Sequence, residues 1–470
     1  MRAGVAAFLQ RGDRARQTRR SSESVWTTLG NHTLEATVRP SFRADEAIAE
    51  TLATASAALH ASDVPHVQVN SYPELPQIRI QPRHWDAALR ALAADPSHHW
   101  YARRLGRIRP MTARLVAEPT GKLTVFRTWA DPTGRFLGGP DVGIALSLVG
   151  DNPTPPVEAI DVVYTWVDGS DPTWQRRRDA HRGGPNDHLH DTAANRARYT
   201  TIEELRYSVR SLLRYAPWVR NIFVVTASQV PQWLADEHPG LKVVDHAEIF
   251  DDPAALPTFN SHAIESRLHH IDGLAEHYLY LNDDVFLSRY LPPSTFFDQD
   301  GNPRVFLSGL AVGDSPRTKH DAPVVAAAKN NRDLLLRLTN SPLAHRQKHV
   351  PHPQLRSVAF ELEGRAPEEF ERTGRAKFRS PRDLSVASSL LPYYCYLTGR
   401  GSLGSINHFY ADVASWELTW RLPRLLRERD ADIICLNATT HSQQRYAELI
   451  RAFYQAYFPG ASRLERPPTP

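Results

Sequence analysis

The chain has 470 residues, of which 41% are hydrophobic, and this composition indicates an ordered protein of two or more domains. A formal net charge of +4, dispersed over 56 basic and 52 acidic residues, excludes the strongly basic surface of a nucleic-acid-binding protein. Two cysteines, Cys395 and Cys435, exclude a disulfide scaffold, and no apolar run reaches the ~18 residues that a membrane helix needs, so we expect a cytoplasmic protein with buried thiols.

The first 150 residues carry no chemical motif. Residues 1–40 are rich in arginine and serine, and we expect them to be poorly ordered. Residues 41–150 are expected to form an accessory α+β domain, with Ser41 as the cap of its first helix. The expected helices span 44–60 and 85–94, and the expected strands span 66–69, 77–80, 113–117 and 123–129.

A proline-rich break at 151–156 separates this region from a catalytic domain expected over 157–445, which a C-terminal helix and tail over 446–470 follow. Strands are expected at 160–167, 221–226, 241–244 and 277–281, with helices at 201–215 and 265–274 and a helical turn at 230–237. This alternation predicts an α/β fold with a mostly parallel sheet, which binds ligands at the carboxyl ends of its strands.

The clearest local signal is an apolar strand that runs directly into Asn282, Asp283 and Asp284. Carboxylate oxygens fixed at a strand end suit Mg²⁺ or Mn²⁺ held against a diphosphate, and this interpretation makes Asp283 and Asp284 the metal ligands. On these residues alone, an Asn-Asp turn with a helix cap is an equally good interpretation.

A second cluster, Trp166 to Gly169, follows the first strand of this sheet. Asp168 could accept hydrogen bonds from a ribose or a base, and Gly169 would let the backbone approach a ligand. As a bare pattern the cluster is a common turn, and this interpretation is the favoured one.

Asn260, Ser261 and His262 form a third cluster just before an expected helix. One of them should cap the helix, and the free N–H groups there suit a phosphate. Glu265 is then either a capping-box partner or a buried acid that faces the same pocket as Asp284.

The fourth cluster lies far downstream and contains His349, His352 and Arg379. Histidines beside prolines sit on a stiffened backbone, which suits a general base. Arg379 could neutralise phosphoryl charge as it builds. Most of the 21 histidines must be ordinary surface or core residues, so position alone assigns no role.

Taken in this order, the four clusters resemble the Stealth family of bacterial capsular polysaccharide phosphotransferases, which also includes the catalytic subunit of the animal enzyme that adds N-acetylglucosamine-1-phosphate to lysosomal glycoproteins. The resemblance spans roughly 160–440. Four segments carry it, namely 161–169, a long block that runs from 204–208 through 217–222 to 282–284, then 349–379, and finally 435–437.

The resemblance implies a Rossmann-like nucleotide-sugar transferase core and transfer of a hexose-1-phosphate, often N-acetylglucosamine-1-phosphate from its UDP donor, with release of UMP. It implies that the matching Glu265, Asp284 and Arg379 belong to the active site together with one histidine of the His-x-Pro-His motif, of which His349 is the first choice and His352 the second. The residues expected to bind the donor are Trp166, Asp168, Gly169, Asn260, Ser261, Asn282 and Asn437.

One position departs from the family pattern, because Ala438 stands where the last motif usually has an acid. This difference keeps two alternatives open, a metal-dependent glycosyltransferase that releases UDP and an inactive carbohydrate- or nucleotide-binding relative. The expected partners are a nucleotide-sugar donor, a glycan acceptor in capsule synthesis and, peripherally, a polysaccharide export system, with no nucleic acid.

Overall fold

The structure is a computed structural model. It describes residues 24–29, 32–40, 42–69, 76–95, 100–104, 107–110, 122–139, 143–148, 159–182, 202–318, 320–438 and 445–466. The expected cap Ser41, the expected strand at 113–117 and the proline-rich break at 151–156 lie outside these residues.

The N-terminal part combines two helices with two mixed sheets, as expected for an α+β arrangement. One sheet has the strand order β1-β2-β8-β9 and the other the order β3-β4-β10-β7-β5-β6. The strands are β1 (Ser24–Leu29), β2 (His32–Val38), β3 (His66–Val69), β4 (Gln77–Ile80), β5 (Tyr101–Arg104), β6 (Arg107–Pro110), β7 (Lys122–Phe126), β8 (Trp129–Ala130), β9 (Phe136–Gly138) and β10 (Ile144–Leu148), and the helices are α1 (Ala44–Ala61) and α2 (Trp85–Ala94).

Strands β1 and β2 lie within the first 40 residues, for which we expected no regular structure. They pair in antiparallel register, with Thr27 opposite Leu34, and they bury Leu29, Leu34 and Ala36. The arginine-rich composition of the preceding residues obscured this short alternation of apolar and polar residues. The second partner of β2 is also distant, since β2 pairs with β8 about 90 residues later in the chain.

The central sheet follows and has the order β13-β12-β11-β14-β19. The first four strands are parallel, and β19 is an antiparallel edge strand that pairs with β14. The α/β prediction is therefore confirmed. The strands are β11 (Ile160–Thr165), β12 (Ile222–Thr226), β13 (Leu241–Asp245), β14 (His277–Asn282) and, after four further strands described below, β19 (His352–Leu355).

Helix α3 (Pro172–Ala180) and helix α4 (Glu204–Tyr215) connect the first strands of this sheet. The stretch 230–237, expected as a helical turn, contains a short turn in which Leu234 N donates to Pro231 O at 3.0 Å, and the next amide, of Ala235, donates to Leu464 O. One expected helix is wrong. The stretch 265–274 holds only a short 3-10 turn, Leu268–His270, since helix α5 (Ser261–Glu265) already ends there.

The remaining helices follow β14 along the chain. They are α6 (Pro323–Thr339), α7 (Arg356–Arg365), α8 (Pro367–Gly374), α9 (Leu391–Leu397), α10 (Leu418–Glu428) and α11 (Ala447–Tyr457). A π-helical turn, Val386–Leu390, leads directly into α9. Such turns are rare and occur frequently at functional sites.

Three small sheets complete the fold. They have the orders β15-β22-β21, β16-β20 and β17-β18. The strands are β15 (Val285–Leu287), β16 (Arg304–Val305), β17 (Leu307–Ala311), β18 (His345–Gln347), β20 (Ser402–Leu403), β21 (His408–Asp412) and β22 (Ile433–Asn437).

The largest hydrophobic core joins β11, β12 and β14 to α4, to the β15-β22-β21 sheet and to α11, whose Ile450, Phe453 and Tyr454 are fully buried. The C-terminal helix is therefore packed into the same core as the central sheet. Cys395 and Cys435 are buried and free. Among the described helices, none combines the length and the apolar character needed to cross a bilayer.

Candidate active site

A cavity of about 530 Å³ opens at the carboxyl ends of β11 and β14. This volume lies within the usual range for a ligand-binding pocket. The end of β14 presents Asn282, Asp283 and Asp284 to the cavity, and the end of β11 presents Thr165 and Trp166. The position is the one expected for a ligand site in a parallel sheet.

The antiparallel direction of β19 brings His349 to this edge from 65 residues further along the chain. Tyr280 on β14 lies opposite His352 on β19, so the residues before β19 stand beside the residues after β14. His349 Nε2 lies 3.3 Å from Asp284 Oδ1 and 2.9 Å from Asn282 Nδ2.

The small β15-β22-β21 sheet brings a further segment to the same carboxylate. Val285 on β15 lies opposite Cys435 on β22, which places Asn437 at the cavity. Asn437 Nδ2 donates to Asp284 Oδ2 at 3.0 Å, and Cys435 Sγ lies 3.8 Å from the same oxygen. Asp284 is therefore held in place by side chains from two distant parts of the chain.

Glu265 and Arg379 form the opposite wall. Glu265 is 5% exposed, and its Oε2 accepts hydrogen bonds from Ser388 N (3.1 Å) and Ser388 Oγ (2.9 Å), both of which belong to the π-helical turn. Arg379 Nη2 donates to Ser261 Oγ at 2.7 Å. The wall thus offers one acid and one guanidinium in fixed positions.

Behind this wall, Asp383 organises the loop that carries Arg379. Its carboxylate is buried and accepts hydrogen bonds from Ser380 N (2.8 Å) and Asn260 Nδ2 (2.8 Å). His262 Nδ1 lies 3.3 Å from the same carboxylate. Asn260 also caps α5 by accepting from His262 N at 3.1 Å, so its side chain holds structure together.

The acids at the end of β14 repel one another. Burial raises the pKa of Asp283 well above its ordinary value, and the charges of Glu204 and Asp284 raise it further. Glu204, the first residue of α4, is 7% exposed and lines the cavity. Three carboxyl groups therefore converge where a cation would relieve their repulsion.

The carboxyl pair fits a divalent metal ion. Asp284 Oδ1 is enclosed and accepts no hydrogen bond from a described residue, although buried carboxylate oxygens are normally satisfied. Asp284, His349 and Cys435 also present atoms within 4.8 Å of one another. Burial and the charge of Asp284 raise the pKa of the Cys435 thiol well above its ordinary value, so a neutral thiol stands there and the hard carboxylates are the better ligands.

His349 and His352 have opposite surroundings. Burial lowers the pKa of His349, but the negative charge of Asp284 raises it by more, and the net shift is upward. Burial and the neighbouring His349 lower the pKa of His352 to about 3. The His352 ring is 7% exposed, and its Nδ1 lies 3.2 Å from Gln347 Oε1.

Most of the predicted site residues share this cavity. Four do not line it, and for each the structure gives another use or position. Asp168 Oδ1 accepts from Ser170 N and Ser170 Oγ, so Asp168 and Gly169 form the turn that was the favoured interpretation of the bare pattern. His352 and Asn260 are held by the contacts described above. The predicted residues that line the cavity are Trp166, Ser261, Glu265, Asn282, Asp283, Asp284, His349, Arg379 and Asn437.

Sequence reasoning missed several lining residues. Glu204 lay inside a segment that carries the family resemblance, but an acid at a helix start is too common to stand out. His246, which follows β13, also lines the cavity, and burial lowers its pKa to about 4. Tyr410 and Arg346 come from the two short strands β21 and β18, whose partners are distant in sequence. No local pattern points to either of them.

Four family models match the chain, namely those of Stealth conserved region 1 (residues 158–184), region 2 (198–305), region 3 (348–396) and region 4 (423–470). The last match extends to the end of the chain, beyond the limit near residue 440 that the motifs alone indicated. Region 4 includes Asn437, Ala438 and the buried helix α11.

Curated relatives are similar over the same part of the chain. An exopolysaccharide phosphotransferase of Streptomyces coelicolor is 51% identical over 310 residues, which are 65% of this chain and 52% of that protein. The exopolysaccharide phosphotransferase CpsY of Mycobacterium tuberculosis is 40% identical over 304 residues, 64% of this chain and 57% of that protein. The chain spans about half the length of the curated relatives it matches.

Among solved structures, the galactosyltransferase LgtC in complex with donor and acceptor sugar analogues is similar with a TM-score of 0.31 and 11% identity, over 62% of this chain and 94% of that one. The family assignment rests on the sequence matches. All four conserved regions occur in order along a single chain, and the cavity described above is lined by residues from each of them. The chain belongs to the Stealth family.

Proposed function

We propose that this chain transfers a sugar-1-phosphate from a nucleotide sugar to a hydroxyl group of a glycan acceptor during synthesis of an extracellular polysaccharide. The proposed donor is UDP-N-acetylglucosamine, and the proposed nucleotide product is UMP. The names of the relatives, exopolysaccharide phosphotransferases, support the reaction class. An extracellular product also has to reach an export system, with which the enzyme would work.

One observation carries the proposal, the convergence of His349 and the Asp283–Asp284 pair at one edge of the cavity, with 3.3 Å between His349 Nε2 and Asp284 Oδ1. Phosphoryl transfer needs positioned charge and a base more than covalent chemistry from the protein. The cavity supplies an acidic side for a metal-bound diphosphate, a guanidinium for phosphoryl oxygens and an imidazole for the acceptor hydroxyl.

In the proposed reaction the acceptor oxygen attacks the β-phosphorus of the donor, and the bond between this phosphorus and the oxygen of the α-phosphate breaks. His349 takes the proton of the acceptor hydroxyl. Arg379, fixed by Ser261, stabilises the equatorial phosphoryl oxygens. Glu265, fixed by Ser388, orients the acceptor.

Asp283 and Asp284 would hold Mg²⁺ or Mn²⁺, which when bound offsets negative charge on the departing nucleotide. Asn437 donates to Asp284 Oδ2 and leaves Oδ1 available. Since Asn437 already contacts Asp284 and Ala438 lines the cavity beside it, the acid that the family usually has at position 438 is not needed to position Asp284.

Incubation of the purified chain with a panel of nucleotide sugars, Mn²⁺ and oligosaccharide acceptors tests the proposal. We expect acceptor-dependent release of a nucleoside monophosphate, with UDP-N-acetylglucosamine as the best donor. Release of UDP would instead identify a glycosyltransferase, and nucleotide binding without release of any nucleotide would identify an inactive binding protein.

A further inference from the structure

Arg346 lines the cavity but has no part in the reaction scheme above. It lies on β18, three residues before His349. Its Nε is enclosed and has no hydrogen-bond partner among the described residues, and no carboxylate of the described chain lies within ion-pair distance of its guanidinium. An unpaired guanidinium on a cavity wall favours binding of an anion, since arginine matches carboxylate and phosphate groups with two parallel hydrogen bonds.

The segment that carries Arg346 lies between two conserved regions of the family. Region 2 ends at residue 305 and region 3 begins at 348, so residues 306–347 belong to neither match. This segment contributes Val324, which is 50% exposed at the start of α6, and Arg346 to the cavity wall. The residues proposed to hold the metal and the phosphoryl group come from the matched regions, whereas this part of the wall lies between them.

The segment is also built as a rigid wall. Asn330 Nδ2 donates to Pro381 O (2.9 Å) and Asp383 O (2.8 Å), and Asn331 Nδ2 donates to Ser385 O (2.9 Å). These amides fasten α6 to the loop between Arg379 and the π-helical turn. On β18, Gln347 next to Arg346 donates to Ser389 O of the π-helical turn at 3.2 Å, so a ligand group held by Arg346 is held in a fixed relation to this turn.

We propose that the wall formed by Val324 and Arg346 belongs to the acceptor subsite and that Arg346 binds an anionic group of the acceptor glycan, either a carboxylate or a phosphate. The inference rests on the proposed function. His349 takes a proton from the acceptor hydroxyl, and Arg346 lies on the adjoining wall, so an anionic substituent of the acceptor sugar can pair with Arg346 while the hydroxyl faces His349.

Binding of three small acceptors in the presence of saturating UDP and Mg²⁺ tests the inference, because UDP fills the donor side of the cavity. The probes are methyl glucoside, methyl glucuronide and methyl glucoside 6-phosphate, which differ only in charge and in the source of that charge. A charge-assisted hydrogen bond predicts that wild-type protein binds at least one charged probe roughly 10- to 100-fold more tightly than methyl glucoside. The charged probe that is preferred identifies carboxylate or phosphate as the natural group.

Arg346→Gln should abolish this preference and leave the affinity for methyl glucoside and for UDP unchanged. Arg317→Gln is the matched control, since Arg317 lies on the same segment, is exposed and does not line the cavity. The inference is overturned if wild-type protein prefers neither charged probe, if the preference survives in Arg346→Gln, or if Arg346→Gln weakens UDP binding instead. A protein that binds no UDP at all would contradict the proposed function itself.

Discussion

Replacement of His349 by alanine should remove most of the turnover while the fold and donor binding persist. A positioned general base typically contributes 10²–10⁴-fold to the rate, which corresponds to about 2.7–5.4 kcal/mol of activation free energy. His349 Nε2 contacts the end of β14 through Asp284 Oδ1 (3.3 Å) and Asn282 Nδ2 (2.9 Å), so alanine removes these two contacts at the cavity edge and leaves the strand pairing intact.

Replacement of His352 should have a different effect, although the two histidines belong to one motif. The His352 ring is buried under the sheet edge and lies 3.2 Å from Gln347 Oε1, so alanine leaves an unpaired acceptor and a small void. We expect a loss of about 1–3 kcal/mol in the free energy of unfolding and little change in turnover per folded molecule.

Nucleotide release under saturating donor and acceptor, together with urea unfolding of each variant, measures both effects. His349→Ala should lose at least 100-fold in kcat, and its unfolding midpoint should be unchanged. If His349→Ala retained turnover within tenfold of wild type while His352→Ala lost it, the assignment of the base would be refuted.

Three further predictions concern the metal pair, the C-terminal anchor and the response to acid. Asp284→Asn should weaken Mn²⁺ binding and lower kcat about 100-fold, measured by Mn²⁺ titration followed by electron paramagnetic resonance and by nucleotide release; unchanged Mn²⁺ affinity would contradict the metal assignment. Glu465→Ala should reduce the free energy of unfolding by about 3 kcal/mol, because the Glu465 side chain is fully buried between Arg206 and Arg210. Urea unfolding measures this loss as a fall of the midpoint, and a change within 0.5 kcal/mol would contradict the prediction. Burial raises the pKa of Glu363, but the hydrogen bonds of His269 and His270 and the charge of Arg267 lower it by more, so the net shift is downward. The ionised Glu363 therefore stabilises the folded state fully above the ordinary glutamate pKa, and this contribution is lost as the pH falls. Glu363→Gln should therefore flatten the decline of Tm between about pH 5 and pH 3, and an unchanged slope would argue against this network.

Each of the two stability predictions has an exposed control residue nearby in the chain. Glu371 lies on α8 next to the Glu363 network and is exposed, so Glu371→Gln should leave the acid response of Tm unchanged. Arg463 is two residues from Glu465, and its replacement by alanine should change the unfolding midpoint far less than Glu465→Ala.

The acidic edge of the cavity could be predicted because its determinants are local. A buried apolar strand followed by Asn282, Asp283 and Asp284 predicts that these carboxylates lie at the edge of a parallel sheet. For Asp168 a turn was the favoured interpretation of the bare pattern, and Asp168 was nevertheless expected to bind the donor; its hydrogen bonds to Ser170 form such a turn. Local patterns distinguish such turns poorly from ligand loops.

The convergence of distant segments could not be derived from local pattern. His349 was named through the family resemblance, whereas its place beside Asp284 follows from the antiparallel pairing of β19 with β14. Asn260 was expected to face the donor, but its amide is used by Asp383, a contact across more than 120 residues. Long-range pairing also explains why β1 and β2 were missed and why Arg346 carried no signal.

The fate of the β-phosphorus of the donor tests the central claim most directly. With UDP-N-acetylglucosamine labelled with ³²P at the β-position, Mn²⁺ and an oligosaccharide acceptor, sugar-phosphate transfer moves the label into the acceptor product and leaves unlabelled UMP. Recovery of the label in the glycan, acid-released as sugar phosphate, is the predicted result. Recovery of the label in UDP, with an unlabelled glycan product, would contradict the account.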